Sequence, residues 1–142
     1  MTKRAYIGIK YYEDNRNQLE IAQLSQQLEK AGYTTVCITR DVEKWGDVHL
    51  SPQELMQRTF AEIDQSDLIV MEMSEKGVGL GIEAGYAYAK GKYLLIVLQQ
   101  ERELSNTMAG IASKIIHYNT LEQLDLSAYE NSRSFDLLSA VD

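Results

Sequence analysis

The sequence predicts one α/β domain built on a five-stranded parallel sheet with helices on both faces, spanning residues 1–142. Three observations point there. Continuous apolar runs such as Leu68-Ile69-Val70-Met71 and Leu94-Leu95-Ile96-Val97-Leu98 have the character of strands covered on both sides, as parallel strands are. Segments of helical periodicity alternate with these runs, the pattern of strand–helix–strand units joined by right-handed crossovers. The length suits a single domain with its own core, and no repeat, low-complexity tract or linker divides it.

The elements follow in order. Arg4 to Ile9 reads as the first strand. A helix over Asn15 to Ala31 places Ile21, Leu24, Leu28 and Ala31 at helical spacing, and Gly32 stops it. Tyr33 to Thr39 is a second strand. Arg40 to Leu50 is aperiodic and long for a connection, which suggests a lid or rim loop. Ser51-Pro52-Gln53-Glu54 then joins a capping box to a proline at the first helical position, and Met56, Phe60 and Ile63 give that helix an apolar side. Asp67 to Met73 is the third strand. A short helix from about Glu83 to Lys90 is closed by Gly91 ahead of a fourth strand, Tyr93 to Leu98. A short helix from Ser105, a fifth strand over Lys114 to Tyr118 and a final helix opened by Thr120-Leu121-Glu122-Gln123 complete the chain, and the polar tail stays unassigned. The doubly wound, flavodoxin-like arrangement gives a strand order of 2-1-3-4-5.

Composition excludes several functions. A formal charge of −7 and a pI near 4.8 argue against binding a nucleic-acid polymer, whose phosphates require clustered Lys and Arg. Cys37 is the only cysteine, so no internal disulfide or cysteine-based zinc site is expected, and its strand context suits a packed thiol. His49 and His117 lack metal-ligand spacing; neither a metal nor a cofactor is expected. The opening MTKRAYIGIK lacks a signal-peptide core, and no stretch approaches membrane-spanning length, so a cytoplasmic location is expected.

The stretch from Asp67 to Lys92 concentrates the chemistry. A buried-type strand runs into a loop with Gly77, Gly79 and Gly81, and Glu83 stands where a helix is expected to begin. Ligands of open α/β sheets bind beyond the carboxyl ends of the strands, where such loops converge. The glycines allow close backbone approach, and the free N–H groups of a helix start favour an ionised Glu83. Such a carboxylate suits attack on an electron-poor carbon or stabilisation of an oxocarbenium ion. It could equally do no more than offset the helix dipole above a tight turn.

Glu72-Met73-Ser74, then Gly79-Leu80-Gly81-Ile82-Glu83-Ala84-Gly85-Tyr86-Ala87, then Gly91-Lys92 and an apolar strand, together resemble the nucleoside 2-deoxyribosyltransferase superfamily, which includes the 2′-deoxynucleoside 5′-phosphate N-hydrolases. The resemblance runs from Tyr6 to about Tyr118. It implies a five-stranded parallel sheet, a homodimer or larger homo-oligomer, a small nucleoside or nucleotide as substrate, no metal, and cleavage or transfer at the N-glycosidic bond. Carried over by position, Glu83 is the nucleophile that forms a glycosyl-enzyme. Tyr6, in Tyr6-Ile7-Gly8, supports it by hydrogen bonding, or else simply packs. Ser105 is the residue lent to a neighbouring subunit's phosphate site, or else an ordinary helix cap. The candidate catalytic residues are thus Glu83 and Tyr6; the candidate substrate-binding residues are Gly8, Lys10, Gly77, Gly79, Gly81 and Ser105.

Two positions depart from the family pattern. A helical acid that works near the base falls on Thr59, and an acid or serine of the glycine loop falls on Gly77. Glu62 and Asp64 lie roughly 60° and 140° around the helix from Thr59, so neither is a simple replacement. Lys10 stands where phosphate-binding members carry serine and could meet a phosphate as a point charge, as could Lys76. Glu72 and Glu75 could act on the base or on water from the loop mouth, or be solvated strand-end charges. Trp45 could stack on a base or pack its loop down; Tyr11 and Tyr12 could line the mouth; Tyr86 is expected to pack and Tyr88 to reach a subunit interface. A nucleotide-binding module with weak or no turnover is the alternative to an enzyme.

Overall fold

The computed structural model describes residues 3–126. Five strands, β1 (Lys3–Gly8), β2 (Tyr33–Val36), β3 (Leu68–Glu72), β4 (Tyr93–Gln99) and β5 (Lys114–Tyr118), form one parallel sheet of order β2-β1-β3-β4-β5. The expected architecture and strand order are both present. Helices α1 (Gln18–Lys30), α2 (Pro52–Asp64), α3 (Val78–Ala89) and α4 (Asn106–Ala109) cover it.

Alternation along each strand sends side chains to two apolar layers. Ala5, Ile7, Leu68 and Val70 face α1, with Leu24 and Leu28 above them. Tyr6, Ile69 and Met71 face the opposite layer, where Ile63 of α2 and Leu80, Ala84 and Ala87 of α3 pack. The α2 start has the expected capping box: the Ser51 hydroxyl accepts from Glu54 N–H at 3.1 Å, and the Glu54 carboxylate accepts from Ser51 N–H at 3.2 Å.

Several boundaries differ from expectation. The first helix starts later than Asn15, because Asn15 adopts a φ of 54° and makes a turn ahead of Gln18. Strand β2 ends at Val36, since Asp41 pulls the chain into a π-helical turn over Ile38–Val42: its carboxylate accepts from Cys37 N–H at 2.9 Å. The segment expected to be a lid or rim loop therefore has helical turns, continued by a 3-10 turn over Lys44–Gly46. The helix expected at about Glu83 begins at Val78, so Gly79 and Gly81 lie inside it. The last expected helix is a 3-10 turn over Leu121–Gln123, and the tail from residue 127 lies outside the described residues.

Candidate active site

The end of β1 forms the floor of the site. Tyr6 and Gly8 point to the same side of the sheet, being two residues apart, and Glu83 comes down onto them from α3. Gly8 lies close under its neighbours: a Cβ there would lie 2.4 Å from the Met71 sulfur on neighbouring β3, so the end of that side chain would have to shift, and 3.5 Å from Glu83 Oε1. Gly79 lies one turn before Glu83 on the same helical face, and a Cβ there would lie 3.6 Å from Glu83 Oε2. Both carboxylate distances are ordinary van der Waals contacts, so the Glu83 group itself demands glycine at neither position.

Tyr6 is buried, and its hydroxyl donates to Glu83 Oε1 at 2.5 Å. Burial, then the neighbouring Glu83 charge, hold the phenol well above its ordinary pKa, so it remains a donor. Glu83 itself behaves otherwise than expected. Standing in the second turn of α3, it lies beyond the free N–H groups of the first turn. Burial raises its pKa above the ordinary 4.5, and the Tyr6 hydrogen bond opposes that rise.

Glu83 opens onto a cavity of about 370 Å³ between β1, the turn after β2 and the first half of α2. Tyr11 lines its mouth, Leu55 and Met56 supply an apolar wall, and Glu43 enters from the turn after β2. Sequence reasoning missed Glu43; the only signal was the flagged but aperiodic segment that carries it. Thr59 also lines the cavity, but its hydroxyl donates to Leu55 O at 2.8 Å. Glu62 is occupied by Arg4 and Arg58, and Asp64 by the Tyr86 hydroxyl, so neither helical carboxylate stands in for an acid at Thr59. The Cys37 thiol lies beneath the cavity and burial pushes it up to about 11, as a packed thiol.

The structure brings Tyr6, Gly8, Gly79 and Glu83 together and places the remaining candidates elsewhere. Lys10 leans on Gly77: a Cβ on that glycine would lie 3.6 Å from Lys10 Nζ, which puts the ammonium beside the α3 N-terminus. Gly81 is exposed with open space about it, because it sits on the side of α3 away from the cavity. Ser105 caps α4, its hydroxyl accepting from Met108 N–H at 3.2 Å. Glu72 does not share the Glu83 cavity, since strand alternation turns it to the α1 side, where Ser74 and Tyr118 hydrogen-bond it. Glu75 pairs with Arg102 at 3.1 Å. Trp45 packs against the α1-side core, Tyr86 stacks on Phe60 with centroids 4.2 Å apart, and Tyr88 is exposed. Among the described residues no cluster of three His, Cys, Asp or Glu could hold a metal, and no helix is long and apolar enough to cross a membrane.

Fold and site thus define a class: a doubly wound α/β domain with a tyrosine-supported carboxylate at the carboxyl edge of its sheet. The chain belongs to the nucleoside 2-deoxyribosyltransferase family, whose model matches residues 6–135. It is 27% identical over 135 residues to a putative 2′-deoxynucleoside 5′-phosphate N-hydrolase 1 of Thermofilum pendens, covering 90% of this chain and 86% of that one. It is 35% identical over 88 residues to a nucleoside deoxyribosyltransferase of Lactobacillus johnsonii, covering 56% of this chain and 59% of the relative. The fold of a 2-deoxyribosyltransferase from Bacillus psychrosaccharolyticus superposes with a TM-score of 0.67 at 14% identity, over 88% of this chain and 94% of the other.

Proposed function

We propose that this protein cleaves or transfers at the N-glycosidic bond of a small (deoxy)nucleoside or nucleotide, with Glu83 attacking the anomeric carbon. The Tyr6–Glu83 contact carries the reading. Tyr6 fixes Oε1 and leaves Oε2 to bond the sugar, while burial strips the carboxylate of the water that would blunt it. Leu55 and Met56 suit the flat faces of a base. Lys10 and the amide groups at the start of α3 suit a phosphate, the lysine lying beside Gly77 at the helix cap. The test is a panel of nucleosides and 5′-nucleotides, with released base measured by chromatography. Release from at least one of them is expected. Adding a foreign base separates transfer, which yields a new nucleoside, from hydrolysis, which yields none. Ligand-induced thermal stabilisation with no release from any substrate would favour the binding module.

The reading includes a cytoplasmic homo-oligomer in which Ser105 of one subunit completes a neighbour's phosphate site. The Ser105 hydroxyl, accepting at the α4 cap, still has its own proton to donate. Of the small α3 residues, Ala84 and Ala87 pack on their own sheet, while Gly85 and Ala89 remain on the exposed face beside the large apolar Ile82 and Tyr88. Mixing Glu83→Ala chains with Ser105→Ala chains should restore part of the activity that each lacks, because some mixed sites pair an intact Glu83 with an intact Ser105. Two inactive parents that show no recovery, or a monomer at assay concentration, would remove Ser105 from the site.

A further inference from the structure

We propose that Glu43 is the acid and base of this site, standing across the cavity from Glu83 to protonate the leaving base and then to deprotonate the attacking water. This rests on the reading of Glu83 as nucleophile. Glu43 and Glu83 are the two carboxylates among the described residues that line the cavity. The strand order β2-β1-β3 puts them on opposite sides of the β1 floor, one on the turn that follows β2, the other on the helix that follows β3. Their parent strands are two spacings, about 10 Å, apart.

That separation suits an N-glycoside. The glycosidic nitrogen has its lone pair delocalised into the ring, so the proton needed on departure goes to a ring nitrogen or exocyclic oxygen beyond it. An acid for such a bond belongs past the base, not beside the anomeric carbon. The turn carrying Glu43 is held for the task. Its N–H donates to Ile38 O at 2.9 Å, and its carbonyl accepts from Gly46 and Val48 N–H, both at 3.0 Å. Lys44 and Trp45 follow with φ of 50° and 60°, a left-handed pair of side-chain-bearing residues of the kind found where backbone strain serves a site. Trp45 is anchored in the α1-side core and its carbonyl accepts from Asn15 Nδ2 at 3.1 Å.

Among the described residues the Glu43 carboxylate has no hydrogen-bond or ion-pair partner. Burial raises its pKa above the ordinary 4.5 and His49 opposes that rise. The titratable groups around the cavity are Tyr6 and Tyr11 from β1 and its extension, Cys37 after β2, and Glu83 from α3; α2 offers only Leu55, Met56 and the committed Thr59 hydroxyl. In the first step a Glu83 oxygen bonds C1′ as the C1′–N pair passes to the base, which takes the Glu43 proton. In the second, water oxygen bonds C1′, its proton goes to Glu43, and the C1′–O pair returns to Glu83. Both carboxyls end as they began.

The test compares Glu43→Gln and Glu43→Asp with the wild type on a substrate whose base it releases and on a deoxyriboside of 4-nitrophenol, which leaves without a proton. Glu43→Gln should slow base release by about 100-fold or more, abolish the alkaline limb of the pH profile, and leave the first-turnover release of 4-nitrophenol nearly unchanged. Glu43→Asp should retain an intermediate rate. Base release at the wild-type rate in Glu43→Gln, or an equal loss on both leaving groups, overturns the proposal. Glu83→Ala run in parallel separates the two readings. If it stays active the nucleophile assignment fails and the proposal with it; if it is inactive while Glu43→Gln is not, the proposal alone fails.

Discussion

Glu83→Gln is expected to lower base release on the order of a thousandfold or more while leaving the protein at least as stable as the wild type. The amide keeps the shape and can still accept from Tyr6, but it cannot form the glycosyl ester. The stability half follows from linkage. Burial raises the folded-state pKa of Glu83 above its unfolded value, so the fold prefers the protonated form. The ionised group therefore weakens the fold as pH rises from 4.5 through its folded pKa, and that cost persists at neutral pH. Glutamine removes it. The melting temperature of the variant should match or exceed the wild type near neutrality, with the difference vanishing at pH below 4.5. Undiminished turnover would end the mechanism, and a lower melting temperature at neutral pH would contradict the account of Glu83 as a desolvated carboxylate. A 2-fluoro sugar analogue that labels Glu83 would report the covalent step directly.

Tyr6→Phe is expected to cost about 10- to 100-fold in kcat/KM near neutral pH, the range of a hydrogen bond to a charged group. The sign of its pH effect is fixed by the same geometry. The Tyr6 hydroxyl lowers the Glu83 pKa; without it burial acts unopposed and the carboxylate protonates at higher pH. The acid limb of the pH–rate profile should therefore move to higher pH, and part of the lost rate should return as pH is raised. Ring packing is preserved in phenylalanine, so an unchanged acid limb would reduce Tyr6 to a core side chain.

The strands were readable because parallel strands are covered on both sides and so appear as unbroken apolar runs, as at Leu68–Met71 and Leu94–Leu98. Caps gave helix positions where chemistry and geometry agree: Ser51-Pro52 before α2, and Gly32 and Gly91 at positive φ after α1 and α3. The start of α3 was misread because glycine disfavours helix interiors, which argues for a loop through Gly81. Gly79 and Gly81 instead stand inside the helix, Gly79 in ordinary contact range of the Glu83 carboxylate and Gly81 facing open space. The same error misassigned what governs Glu83: an expected helix-dipole effect gave way to burial. Glu43 was illegible because a π-helical turn and two left-handed residues aim it, and neither has a periodic signature. Glu72 was legible as an acid near the strand end but not as one facing away from Glu83, since a single residue of strand phase decides the face.

The sheet order also dictates when the site comes into being during synthesis. Strand β1 leaves the ribosome first, yet its partners are β2, which begins at Tyr33, and β3, which begins at Leu68. No hairpin can satisfy β1 early, because each pairing is parallel and must wait for a crossover. Tyr6 and Glu83 are 77 residues apart, so the floor of the pocket is translated long before the carboxylate that meets it. The nascent chain therefore has no partial version of this pocket, and the Tyr6–Glu83 contact forms only as the long-range core closes.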